Sequence, residues 1–133
     1  MKKQIHVVGA VIRRDGRVLC AQRGAAGSLP GLWEFPGGKI EPGETPKQAL
    51  EREIIEELEC RVEVGDLITT TAHEYDFGVV NLTTFYCELI EGTPQLTEHA
   101  AVVWLLPSEL GTLEWAPADV PAVALIEASG VTQ

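Results

Sequence analysis

Basic residues are scarce in this chain: ten lysines and arginines stand against twenty aspartates and glutamates, for a formal net charge of -10. Binding to nucleic acid or to an anionic membrane surface needs a basic patch, so neither is expected as a stable partnership. A polyanionic substrate would need metal ions to offset the repulsion. Cysteine is equally sparse. Cys20, Cys60 and Cys87 show neither a CxxC pair nor a Cys/His metal spacing, which argues against a disulfide framework or a structural zinc site and fits buried free thiols in a reducing compartment. No apolar run reaches the length of a membrane-spanning helix. The opening MKKQIHVVGAVIRRDG imitates a signal peptide only faintly, since its apolar stretch contains His6 and ends in Arg13 and Arg14 instead of a small-residue cleavage site. A cytoplasmic protein whose first apolar stretch is a β-strand is the expectation.

Neither repeats nor low-complexity linkers interrupt the 133 residues, which suit one domain over 1–133 with a full hydrophobic core. IHVVGAVIRRDGRVLCAQR reads as two strands about a turn at Asp15 and Gly16. LPGLWEFPGGK reads as a brief strand entering a glycine-rich loop. Thr45 and Gln48 form a capping-box pattern with Pro46 at the first helical position, and Leu50, Ile54 and Leu58 then recur every four residues as a core-facing stripe. Three β-rich segments follow Cys60, and a last helix is expected from about Ala118 to Ser129, after Pro117 and before Gly130. This order predicts an α/β fold with a mixed sheet between helices.

The segment from Gly37 to Cys60 holds seven glutamates. At 100° per residue, Glu53, Glu56 and Glu57 share an arc beside the apolar stripe, as i,i+3 and i,i+4 neighbours. Convergent carboxylates bordering a core call for a neutralising cation, and hard divalent ions such as Mg²⁺ bind in this way, completed by waters and substrate phosphates. A solvated acidic helix face is the bland alternative. Three neighbouring features favour the metal: Gly37 and Gly38, where bare backbone can approach a ligand; Lys39, which can meet an anion; and Arg52, which can pair with Glu44 to hold the loop to the helix.

GGKIEPGETPKQALEREIIEELEC resembles the signature box of the Nudix hydrolases: glycine, five residues, glutamate, seven residues, then Arg-Glu-aliphatic-x-Glu-Glu-x-Gly-aliphatic. Gly38, Glu44, Arg52, Glu53, Ile54, Glu56 and Glu57 match in register, whereas Glu59 stands where the family has glycine and Cys60 replaces the aliphatic residue. A glutamate in the left-handed conformation that suits that glycine would cost about 1 kcal/mol. The likeness extends over most of the chain and is closest to MutT-type nucleoside triphosphate pyrophosphohydrolases, which act on 8-oxo-dGTP, and their cytidine-nucleotide relatives. It implies the Nudix fold, an α/β/α sandwich with a mixed sheet, and Mg²⁺-dependent hydrolysis, with Mn²⁺ as substitute, of a nucleoside triphosphate to monophosphate and pyrophosphate.

The same resemblance implies that Glu53, Glu56 and Glu57 bind the metal with the carbonyl of Gly37, while Glu44 and Arg52 orient them. Glu98 would be a further ligand or the general base, Arg23 and Lys39 would contact phosphates, and Asp119 would read the base. Each has a bland competitor: Arg23 as a surface cation, Glu98 as a solvated acid, Asp119 as N-cap of the last helix. An ionised Asp119 would accept from the N4 amine of cytosine; protonated, it would donate to an oxidised purine. Trp33, Phe35, Tyr75 and Phe77 are stacking candidates or core residues, and His73 and His99 are expected to be solvent-facing or hydrogen-bonded. A non-catalytic Nudix-like recognition module is the alternative of another class, and either a monomer or a homodimer suits the chain.

Overall fold

The computed structural model describes residues 2–130; Met1 and residues 131–133 of the expected domain lie outside the described residues. Strand β1 (Gln4–Arg14) turns at Asp15 and Gly16, with φ of 53° and 77°, into β2 (Arg17–Gln22). Two consecutive left-handed residues are what a tight two-residue hairpin requires, and the Asp-Gly pair supplies them cheaply. Further along are β3 (Trp33–Glu34), β4 (Gly37–Lys39), helix α1 (Pro46–Leu58), β5 (Arg61–Tyr75), β6 (Gly78–Glu91), β7 (Ala101–Leu105) and helix α2 (Val120–Gly130). β1 runs parallel to β6 and the other pairings are antiparallel, so the sheet is mixed.

Alternation along the strands builds two cores. Val8, Ala10 and Ile12 of β1 and Leu19 of β2 meet Leu50, Ile54 and Leu58 of α1 on one face. Val11, Val18 and Cys20 point the other way, toward Ala122, Val123 and Ile126 of α2. One sheet buried on both faces by helices is the α/β/α sandwich the sequence predicts. The three cysteines are free and buried.

Two local expectations change. The glycine-rich stretch is not a loop: Gly37–Lys39 pairs with Val7–Gly9 of β1. A Cβ on Gly37 would lie 1.9 Å from the Val8 carbonyl oxygen, so only glycine permits this approach. The last helix begins at Val120, after a short 3₁₀ turn over Pro117–Asp119.

Candidate active site

Helix α1 starts as its sequence dictates. Thr45 Oγ1 accepts the Gln48 N–H at 3.1 Å and Gln48 Oε1 accepts the Thr45 N–H at 2.9 Å. It ends on Glu59 at φ 55°, whose N–H bonds the Ile55 carbonyl, so the glutamate adopts the left-handed cap despite its side chain. Between these ends, Leu50, Ile54 and Leu58 are fully buried and fix the rotation of the acidic face.

The cation that gathers the glutamates is Arg52. Its Nε and Nη2 donate to the two oxygens of Glu44 at 2.6 and 3.1 Å, a bidentate pair. Nη1 reaches Glu53 at 3.1 Å and Glu56 at 3.2 Å, and Nη2 also donates to the Lys39 carbonyl at 3.0 Å. One guanidinium thus ties β4, the following loop and two turns of α1 together. Its hydrogen bonds, aided by the Glu41 N–H, hold the Glu44 carboxyl below the usual carboxylate range.

The three helix glutamates are not equivalent. Glu56 is exposed, while Glu53 is largely buried against Gly38, where a Cβ would lie 2.4 Å from its carboxyl carbon. Burial raises the pKa of Glu53 even with Arg52 beside it. Burial raises Glu57 too, reinforced by Glu53, Glu34 and Glu98 and opposed by His99. Glu57 Oε1 is buried without a hydrogen-bond partner. A buried orphan oxygen on a carboxylate is costly unless a ligand uses it. With carboxylate oxygens beside a bare glycine backbone, the residues suit a hard divalent cation. Among the described residues no three His, Cys, Asp or Glu side chains are placed to hold a metal ion together, so a cation bound by these carboxylates would draw its other ligands from waters and phosphates.

Glu57 opens onto a cleft of about 510 Å³. Gly37, Gly38, Lys39, Arg23 and Glu98 also line it, whereas Glu53, Glu56, Glu44 and Arg52 do not. Glu98 belongs to a loop stitched to the end of α1: the Gln95 N–H donates to Leu58 at 2.8 Å, and the Thr97 hydroxyl to the Glu57 carbonyl. Arg23 is no ordinary surface cation. Its Nη1 meets Glu34 at 2.6 Å, and its Nε and Nη2 bond the carbonyl and hydroxyl of Ser28 at 2.8 and 3.2 Å.

Glu34 and His99 are residues that sequence reasoning did not assign to the site. The His99 side chain is buried and its Nε2 lies 2.9 Å from Glu34, which raises its pKa. The available signal was Glu34 itself, a lone charge between Trp33 and Phe35; alternation turns it away from its aromatic neighbours.

Also lining the cleft, Asp119 is 5 % exposed, and its Oδ1 accepts the Phe35 N–H at 3.1 Å. Its side chain serves the Phe35 backbone between β3 and β4 and not the N-terminus of α2, which corrects the capping alternative. Burial pushes its pKa up to about 8, the Phe35 N–H offsetting only part. The Tyr75 hydroxyl accepts the Ala118 N–H at 2.9 Å, and the Tyr75 and Phe77 rings stack in parallel, 5.1 Å apart, on the cleft wall. Phe35 is buried against Trp115, and Trp33 packs on the α2-side core, so these two are core aromatics, with Phe35 also reaching the cleft. His73 lies against Tyr75.

The sequence profile of the NUDIX domain matches residues 7–125. The CTP pyrophosphohydrolase of Escherichia coli strain K12 is 44% identical over 119 residues, which are 90% of this chain and 88% of that one. The putative 8-oxo-dGTP diphosphatase 2 of Mycobacterium tuberculosis strain H37Rv is 40% identical over 122 residues, 90% of this chain and 84% of that one. A solution NMR structure described as DNA mismatch repair protein MutT, family Nudix hydrolase, from methicillin-resistant Staphylococcus aureus 252 shares 57% identity. It superposes with a TM-score of 0.80, covering 96% of this chain and 98% of that one. Signature, fold and relatives agree over nearly the whole length, and the chain belongs to the NUDIX domain family.

Proposed function

We propose that this Nudix protein hydrolyses nucleoside triphosphates to monophosphate and pyrophosphate with Mg²⁺, clearing oxidised nucleotides of the 8-oxo-dGTP type from the cytoplasmic pool. The observation that carries the reading is one cleft lined by two chemically distinct sets of residues. Carboxylates and a bare glycine backbone form one, while a buried carboxyl and two stacked aromatic rings form the other. Glu53, Glu56, Glu57 and the Gly37 carbonyl would hold the cation, and Arg52 with Glu44 would orient them. When bound, it supplies charge neutralisation for the phosphate oxygens and a more acidic water. Lys39 and the two Arg23 N–H groups left by Glu34 and Ser28 bind phosphate. Glu98 serves as a further ligand or takes the proton of the attacking water as the anhydride bond breaks and pyrophosphate leaves.

Asp119 reads the base. A carboxylate only accepts hydrogen bonds, whereas a neutral carboxyl also donates. With its pKa near 8, Asp119 is mostly neutral at about pH 7. It can donate to a carbonyl of an oxidised purine while still accepting the Phe35 N–H. The second reading is a cytidine nucleotide with its base at Asp119, favoured by the 44% identity to a protein named CTP pyrophosphohydrolase. No helix among the described residues is long and apolar enough to cross a membrane.

Initial-rate hydrolysis with Mg²⁺ of 8-oxo-dGTP, dGTP, CTP, dCTP and 5-methyl-dCTP, with chromatography of products, tests this. Selective turnover of 8-oxo-dGTP is expected. Selective turnover of the cytosine compounds establishes the second reading, and no turnover of any would make the chain a non-catalytic recognition module.

A further inference from the structure

We propose that Glu34 is a positioning residue that couples the two loops walling the cleft, aiming the free N–H groups of Arg23 and fixing the loop that carries Glu98. One carboxylate holds both: Oε1 accepts from Arg23 at 2.6 Å, and Oε2 pairs with His99 at 2.9 Å. Arg23 begins the 24–31 loop and His99 follows Glu98, so two segments more than 60 residues apart meet on one side chain.

Glu34 stands on a rigid base. Strand β3 pairs with β2 at Ala21 and Gln22, and Trp33 is bonded on its other side to Glu114 and Ala116, both at 2.9 Å. Each loop leans on this base. The 24–31 loop, with Gly27, Leu29 and Gly31 at positive φ, closes through the Gly31 N–H to Arg23 at 3.0 Å. The 95–100 loop closes through the Ala100 N–H to Gln22 at 2.9 Å.

Three of the five guanidinium N–H groups of Arg23 are taken by Glu34 and Ser28, leaving one each on Nη1 and Nη2 for a phosphate. Remove Glu34 and Arg23 keeps only Ser28. The buried His99 ring, whose Nδ1 already has no partner, would then lack one on either nitrogen. Two orphan nitrogens in a buried ring favour withdrawal of the ring and with it the adjoining Glu98.

The test uses the full chain as wild type, Glu34→Ala and Glu34→Gln. In native-state hydrogen exchange, the Gly31 and Ala100 amides report the two loops and the Ala10 amide, bonded to Pro36 at 2.8 Å, reports the core. In Glu34→Ala both loop amides should exchange about tenfold faster, the effect of losing one charged hydrogen bond, while Ala10 changes less than about twofold. Glutamine can still accept from Arg23 and donate to His99, so Glu34→Gln should return both to within about threefold. Acceleration of only one loop, equal acceleration of all three amides, or a glutamine variant that behaves as alanine would overturn the coupling.

A kinetic arm rests on the nucleotide reading above. Glu34→Ala should raise KM about tenfold through Arg23 and lower kcat about tenfold through the Glu98 loop, with recovery in Glu34→Gln. A change in one constant alone overturns the proposal. Absence of turnover in the wild type would instead sink the nucleotide reading, and exchange would still decide the role of Glu34.

Discussion

Replacing Asp119 by asparagine should make the folded protein markedly less sensitive to pH. In water an aspartate ionises near 3.8, but burial holds Asp119 protonated up to about 8. Between these values the unfolded chain carries the residue ionised and the folded chain carries it neutral. Folding therefore takes up a proton, and the stability contributed here falls as pH rises. The interval spans roughly four pH units at about 1.4 kcal/mol each, so the limiting effect is on the order of 5 kcal/mol. The cleft wall can relax and admit water, which reduces the realised effect to about 2–3 kcal/mol. The asparagine side chain would keep an oxygen for the Phe35 N–H, now accepted at 3.1 Å, and has nothing to ionise. Urea unfolding of both proteins at about pH 5 and pH 8 measures the difference. Glu57, also raised by burial, is common to both and cancels. The variant should gain about 2–3 kcal/mol relative to wild type between the two conditions; parallel pH dependences would refute a buried neutral carboxyl at this position.

Gly38→Ala should fold yet lose turnover about a hundredfold, because the nearest atoms its Cβ meets are the movable end of Glu53. Gly37→Ala meets the Val8 backbone instead and should cost at least about 3 kcal/mol in chemical denaturation; equal stabilities of the two variants would contradict the geometry. Glu59→Gly should relieve a residue held at φ 55° and raise stability by about 1 kcal/mol in urea, and a loss would mean the side chain makes an unrecognised contact. Glu53→Gln should keep the wild-type circular dichroism and fall about a hundredfold in rate. Near-normal turnover in that variant would remove Glu53 from the catalytic site.

Helix α1 was legible because its determinants are local. Thr45, Pro46 and Gln48 act within four residues, and the Leu50, Ile54 and Leu58 stripe needs only a nonpolar neighbour to choose its face. The Arg52–Glu44 pair was legible for a related reason: one cation among many acids within a short segment has few other partners. The box supplied the rest of that register by resemblance. Even Glu59, the one departure from the box glycine, takes the expected left-handed cap, so the local demand of the helix end outweighs a strain of about 1 kcal/mol.

What escaped depended on which strands lie side by side. The Gly37–Lys39 stretch looks like a loop until β1 is beside it, since a strand of three residues carries no periodicity of its own. The bond that holds Asp119, read as a base contact with an N-cap as its bland alternative, escaped because its donor, the Phe35 N–H, is 84 residues away. His99 sits in a polar Thr-Glu-His run whose composition suggests solvent, and its burial follows only from β3 delivering Glu34 beside it. In each case a polar group was satisfied by a distant partner, and a single sequence records the need for a partner without naming it. The strong net negative charge makes this acute at the cleft. Arg23 and Arg52 each bind carboxylates of the protein itself, so neither presents a bare cation to an incoming polyanion. Arg23 keeps two N–H groups that direct phosphate only if Glu34 holds the guanidinium still. All five N–H groups of Arg52 are taken within the protein, so the Arg52–Glu44 pair acts on the neighbouring carboxylates and not on the phosphate.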